Sequence, residues 1–311
     1  MMMEELGAQI DYADIYAHDF FEGRERSQLQ EHKPWENQMM WNYFLVREMY
    51  DLLKRKKWVI PVVHGNLDFM NFEAQGHKIT LLLIARRSRH FAGTRYLRRG
   101  INQEGRPANF VEIEQLMYEH MPCFNDASPK MTSFVQVRGS IPFFWSQIPS
   151  AITVKPDIML DKSKDPNLVS TRKHFGRLLQ KYSHPLVCLN LTKRNNAREE
   201  TVAREFRSFV TQDLKEEMPS EYSIRFIHWD MKEKKRNKVK RYEMDMLEHA
   251  GELIGQTKIF SCIPCQQSQE KAGDSLSRVE IQRGVVRANC IDSLDRTNQV
   301  QTLMGYYGAL V

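Results

Sequence analysis

Near the C-terminal end of the sequence, Cys290 is followed six positions on by Arg296 and then by Thr297, within the string Arg287-Ala288-Asn289-Cys290-Ile291-Asp292-Ser293-Leu294-Asp295-Arg296-Thr297-Asn298. These residue types at this spacing suit phosphoryl transfer. A thiolate is a strong nucleophile. An arginine that returns to the same loop can hold a phosphoryl group through two parallel hydrogen bonds. The hydroxyl of Thr297 can stabilise the sulfur as it leaves. A general acid would come from Asp292 or Asp295. Asp292, two residues from the nucleophile, is the preferred one, and Asp295 is the alternative or a brace for the loop. Cysteine, five residues and arginine also arise by chance, and the cysteine is then merely buried and the arginine solvated.

The frame around the string narrows that choice. Gly284-Val285-Val286 is an apolar run that reads as a strand, and residues 299–307 read as the start of a helix. A strand, a tight loop and a helix N-terminus form an anion site, because unpaired N–H groups and the helix dipole point into the loop. That field lowers a thiol's pKa, so Cys290 is expected to be a thiolate at neutral pH.

Other segments supply the scaffold. Residues 41–53 carry Trp41, Phe44, Leu45, Met49, Leu52 and Leu53 at helical spacing and predict a helix with a buried face. Residues 58–63 and 79–85 read as strands, the second central. A basic segment follows, with Arg86, Arg87, Arg89, His90, Arg95, Arg98, Arg99 and Arg106 interleaved with Gly93, Gly100 and Gly105. Sites tend to be built where a hydrophobic strand ends, and nucleic-acid binding is a rival for this piece alone. Residues 109–115 and 134–138 read as strands, and Phe143, Phe144 and Trp145 as a cluster that either packs in the core or serves the site. Residues 149–167 look like a surface loop, 171–182, 197–214 and 242–254 like helices, and 186–191 and 223–230 like strands, with Cys188 a small core residue. His228 and Asp230 are left structural. Residues 232–241 hold seven lysines and arginines, either solvated or set to meet anionic lipid heads. Cys262 and Cys265 offer two ligands where a structural zinc needs about four. Residues 266–277 read as a polar loop. Alternating strands and helices predict an α/β fold, with a mostly parallel central sheet flanked by helices and the cysteine loop at a strand's carboxyl end.

Of the 311 residues, 41% are hydrophobic and 27% charged, as in ordinary globular domains. The net charge of +6 and the pI near 9.0 suit an anionic partner without choosing among nucleic acid, membrane and phosphorylated substrate. Five cysteines in a chain this long make no disulfide framework and fit a reducing compartment. No apolar run is long enough to span a bilayer. The expected location is cytoplasmic.

The full string closely resembles the signature of the Sac-domain phosphoinositide phosphatases, R-x-N-C-x-D-C-L-D-R-T-N. It departs at Ala288, where threonine is usual, and at Ser293, which replaces a second cysteine. Further strings resemble the same family in the same order: Trp41-Asn42, Val63-His64-Gly65, Ala92-Gly93-Thr94-Arg95-Tyr96-Leu97-Arg98-Arg99-Gly100, Ala108-Asn109-Phe110-Val111-Glu112 and Arg138-Gly139-Ser140-Ile141-Pro142. The resemblance covers residues 41–311. It implies a Sac catalytic domain shortened at its C-terminal end, with residues 1–40 a connector or a remnant of the family's N-terminal subdomain. It further implies removal of a phosphate from an inositol ring through a phosphocysteine formed on Cys290, with Arg296 and Thr297 in support. Arg287, Arg95 and Arg138 are expected to hold further phosphates of the head group, and the loop positions Asn289, Ser293 and Leu294 to contact the substrate. No cofactor or metal is called for, because arginine and amides supply the positive charge. The expected partners are phosphoinositide head groups and an anionic membrane surface, with no nucleic acid, and the resemblance implies a peripheral place at endomembranes. Two alternatives stand beside this reading: a catalytically weak Sac-like module that binds phosphoinositide membranes or a partner complex, and a protein-tyrosine or RNA-end phosphatase with the same cysteine chemistry.

Overall fold

The computed structural model describes residues 38–52, 59–74, 76–94, 96–120, 130–147, 156–217, 220, 222–231, 233, 242–263 and 278–310. The expectations placed on residues 1–37, Trp58, Arg95, most of 232–241, Cys265 and 266–277 lie outside the described residues. Contacts divide the chain into two units, residues 1–62 and 63–311.

In the first unit, helix α1 (Tyr43–Leu52) forms where the spacing predicts it. The Asn42 side chain ties it to the following segment: its Nδ2 donates to the Ile60 carbonyl and its Oδ1 accepts from the Val62 N–H, each at 2.9 Å. The predicted burial does not hold. Phe44, Leu45, Met49 and Leu52 are exposed, Leu45 at 83%. An amphipathic period reveals a face but not what covers it. Residues 59–62 are irregular rather than a strand.

The second unit runs β1 (Gly65–Ala74), β2 (His77–Arg87), β3 (Val111–Glu119), β4 (Met131–Arg138), β5 (Trp145–Gln147), β6 (Ile158–Leu160), α2 (Val169–Tyr182), β7 (Leu186–Asn190), α3 (Ala197–Ser208), α4 (Leu214–Glu217), β8 (Ile224–His228), α5 (Tyr242–Thr257), β9 (Phe260–Ile263), β10 (Arg278–Glu280), β11 (Val285–Asn289) and α6 (Asp295–Leu310). A π-helical turn, Phe209–Asp213, links α3 to α4. The main sheet has the order β1-β2-β3-β4-β11-β7-β8, with β9 and β10 attached beside β4; β5 and β6 form a separate pair. The α/β class is as expected. Parallel pairing, however, is confined to β4, β11, β7 and β8, while β1 to β4 form an antiparallel wing.

Sequence explains this division. β7 (LVCLN) and β11 (VVRAN) are buried at every position, as strands covered on both faces must be. Residues on β11 alternate between two helical layers. Val286, Ala288 and, beyond the strand, Cys290 join a core with Met246 and Leu253 of α5 and Val300 and Met304 of α6. Arg287 faces the other way, toward His174 of α2 and the ring of Phe206 on α3. There Phe143, Phe175, Phe206 and Phe209 form an edge-to-face and tilted cluster, so Phe143 is a core residue, and so is the buried Trp145. β4, β11, β7 and β8 bring their carboxyl ends to one edge of the sheet, and β2, two antiparallel steps from β4, ends at the same edge. That edge carries the cysteine loop.

Candidate active site at the carboxyl end of β11

The loop from Cys290 to Leu294 joins β11 to α6, as the sequence predicts. The first α-helical bond runs from the Asn298 N–H to the Leu294 carbonyl, 2.8 Å, so the dipole of α6 opens onto the loop. Three groups meet at the Cys290 sulfur. The Ser293 N–H donates to it at 3.1 Å and the Thr297 hydroxyl at 3.2 Å, while the sulfur is a donor to Asp292 Oδ1 at 3.1 Å. Asp292 Oδ1 also accepts from the Leu294 N–H at 3.3 Å. The sequence thus brings Cys290, Asp292 and Thr297 together as expected.

The protonation state differs from the expected thiolate. Burial pushes the Cys290 thiol up, Arg296 and the Thr297 hydroxyl pull it down, and Asp292 pushes it up again; the balance lies above the ordinary thiol value. The sulfur has no exposed surface. The proton on sulfur is the hydrogen that makes the Cys290–Asp292 bond.

Ser293 sits at φ 52°, in the left-handed region, where a non-glycine residue costs roughly 1 kcal/mol. Two bonds hold it there: its hydroxyl donates to the Gly139 carbonyl and its own carbonyl accepts from Arg138 Nη1, each at 2.6 Å. Its role is to pin the loop to the end of β4, and its buried side chain is turned into the protein. Arg138 reaches the loop through that bond. Burial lowers its pKa, the Cys290 sulfur raises it and Arg87 lowers it, so its charge bears on the nucleophile. Its Nε is buried and has no hydrogen-bond partner among the described residues.

Arg296 lies near the sulfur electrostatically. Burial works against its charge, but Cys290, Glu199 and Asp292 together hold the guanidinium above its ordinary range. Nη1 donates to the Leu191 carbonyl and to Glu199 Oε2, both at 2.9 Å, and Nη2 donates to Glu199 Oε1 at 3.4 Å. Leu294 is exposed at the loop's outer side, and Asp295 is exposed in the first turn of α6, where its charge meets the positive end of the dipole.

Arg287 and Asn289 correct the sequence reading. Arg287 is fully buried: Nε donates to His174 Nε2 (3.0 Å), Nη1 to Asn289 Oδ1 (3.0 Å) and Nη2 to the Ser140 carbonyl (2.6 Å). Its guanidinium is committed to the protein, and burial lowers its pKa to about 10. Asn289 passes the chain of bonds to Asn190 Oδ1 at 2.7 Å, and Asn190 passes it to Thr192 at 2.8 Å. These bonds occupy both side chains within the protein and hold β11 against β4 and β7 below the loop. His228 bonds to Thr192 and Arg207, and Asp230 accepts the Arg194 and Glu233 N–H groups.

Sequence reasoning missed Glu199 and the Leu191 carbonyl. The signal for Glu199 was available. Asn196 caps α3, accepting from the N–H groups of Arg198 and Glu199, and a glutamate at the third helical position usually bonds back to the cap's own N–H. Here it bonds to the Lys193 N–H at 2.8 Å and to Arg296 instead.

The loop thus carries cysteine, arginine and threonine at the carboxyl edge of the parallel section of the sheet, where a helix N-terminus opens. The chain matches the SacI homology domain over residues 11–236 and belongs to that family. It is 35% identical over 324 residues to "Phosphoinositide phosphatase SAC3" of Arabidopsis thaliana, covering 88% of this chain and 39% of that protein. It is 38% identical over 275 residues to "Polyphosphoinositide phosphatase" of Schizosaccharomyces pombe, covering 86% and 32%. It is 32% identical over 273 residues to "Phosphatidylinositol-3-phosphatase SAC1" of Drosophila melanogaster, covering 86% and 40%. The chain therefore spans at most two fifths of the length of these relatives.

Proposed function

We propose that this chain carries the catalytic centre of a phosphoinositide phosphatase. The observation that carries the reading is the sulfur of Cys290, flanked by a hydroxyl, an amide and a carboxyl that can take its proton. When a phosphate ester enters, the proton passes from sulfur to Asp292 Oδ1, with Arg296 and the Thr297 hydroxyl favouring the charge on sulfur. The thiolate attacks phosphorus, the bond from phosphorus to the inositol oxygen breaks, and Asp292 returns the proton to that oxygen. Asp292 then accepts a proton from water as the water attacks the phosphocysteine, and the S–P bond breaks to give inorganic phosphate and the thiolate. The thiolate is stabilised by the Thr297 hydroxyl and the Ser293 N–H. Arg296 and the loop amides balance the charge on the equatorial oxygens.

The lipid would be met at an anionic membrane surface. The support is the positive net charge and the exposed Arg98 in the segment after β2; such a residue is worth about 1 kcal/mol near an anionic surface. No helix among the described residues is long and apolar enough to cross a membrane. Arg138 and Arg95 are the candidates for additional phosphates.

A panel of soluble phosphoinositide isomers, with and without vanadate, tests the reading: vanadate-sensitive phosphate release from at least one isomer is expected. The closed, protonated sulfur also favours a second reading, a module that binds phosphoinositides with weak turnover. Lipid binding without release in the same panel would select it.

A further inference from the structure

We infer that Glu199 is a positioning residue that presents the Nε/Nη2 edge of Arg296 to the phosphoryl group. The inference rests on the proposed role of Arg296 and deepens it. A guanidinium has five N–H donors in one plane. Nη1 uses both of its hydrogens, on the Leu191 carbonyl and Glu199 Oε2, and Nη2 uses one, on Glu199 Oε1. The end of the fork is thus closed by a carboxylate, two oxygens on two nitrogens. The Nε hydrogen and the second Nη2 hydrogen make no bond among the described residues. They share the lateral edge, which has the spacing that two oxygens of a phosphate require.

Glu199 is itself fixed. Its side chain is 10% exposed, Oε2 accepts the Lys193 N–H at 2.8 Å, and Lys193 Nζ stands 3.6 Å from Oε1. It lies in the first turn of α3 behind the Asn196 cap, on a helix whose start comes directly from β7, the strand next to β11. Four flexible bonds separate the Arg296 backbone from its charge, and without this anchor the guanidinium would sample many rotamers. Glu199 touches no reacting atom; it acts through Arg296.

The test is direct titration with inorganic vanadate, which needs no lipid turnover. Glu199→Gln keeps the size but loses the charge and one acceptor, and it should weaken vanadate binding by roughly 10- to 100-fold with little change in melting temperature. In an Arg296→Lys background, where no fork exists to be aimed, the same change should cost less than about 2-fold. If Glu199→Gln unfolds the protein, Glu199→Asp carries the test, with a smaller loss of affinity at unchanged melting. Unaltered vanadate affinity in the glutamate variants, equal losses in both arginine backgrounds, or no vanadate binding by the wild-type chain would each overturn the inference. Vanadate bound with the expected dependence on Glu199, but no phosphoinositide hydrolysed, would defeat the proposed activity and leave this inference standing.

Discussion

The outer strand of the antiparallel wing and the central strands of the parallel section end up in opposite surroundings. β1 is exposed at nearly every position, and Leu67, Phe69 and Met70 are among its exposed side chains. β7 and β11 are buried throughout. In the antiparallel wing only alternate strands end at the edge that carries the cysteine loop, β2 and β4 but not β1 or β3. Parallel strands joined through helices must gather their loops at one edge, and each following helix adds an N-terminus to the same edge. The proposed chemistry lies where β11 and β7 end side by side: Cys290 follows one, and the Leu191 carbonyl and Glu199 follow the other.

Four outcomes test this contrast. Leu189 in β7 is 1% exposed, and Leu189→Ala should cost about 3 kcal/mol by denaturant unfolding. Thr297→Ala removes a donor to the sulfur that matters most when the sulfur is charged, so kcat should fall roughly 10- to 100-fold at unchanged stability. Burial in β7 pushes the Cys188 thiol up to about 12. Its neutral form therefore stabilises the fold fully below the unfolded thiol's value, and that contribution is lost as pH rises from there toward 12. Stability should fall by up to about 1.4 kcal/mol per pH unit in that window from this group, and Cys188→Ala should flatten the slope. Leu67 in β1 is 67% exposed, and Leu67→Ala should stay within about 0.5 kcal/mol. A Leu67 effect as large as that of Leu189 would break the comparison.

Local signals revealed the frame of the site, and long-range ones did not. The apolar run before Cys290, the helical period after it and the spacing to Arg296 and Thr297 are local, and β11, the loop and α6 follow them. What covers each face of β11 is not local. Arg287 and Asn289 alternate with Val286, Ala288 and Cys290, but alternation does not reveal that the polar face is buried, with Arg287 against His174 and Phe206. The ion pair of Arg296 with Glu199 spans 97 positions, and the capping pattern assigned that glutamate a different partner. The thiolate expectation failed because helix dipole and arginine were weighed without burial and without the proton-accepting Asp292. Ser293, a departure from the family string, proved to be a hydroxyl bound to the Gly139 carbonyl, a contact a thiol would make more weakly.

The central claim is that the Cys290 sulfur takes phosphorus from a phosphorylated inositol lipid. Phosphate release from short-chain phosphatidylinositol phosphates by the wild-type chain and by Cys290→Ser, assayed side by side with their melting curves, tests it most directly. The account predicts release by the wild type and none by an equally folded variant; equal release by both would contradict it.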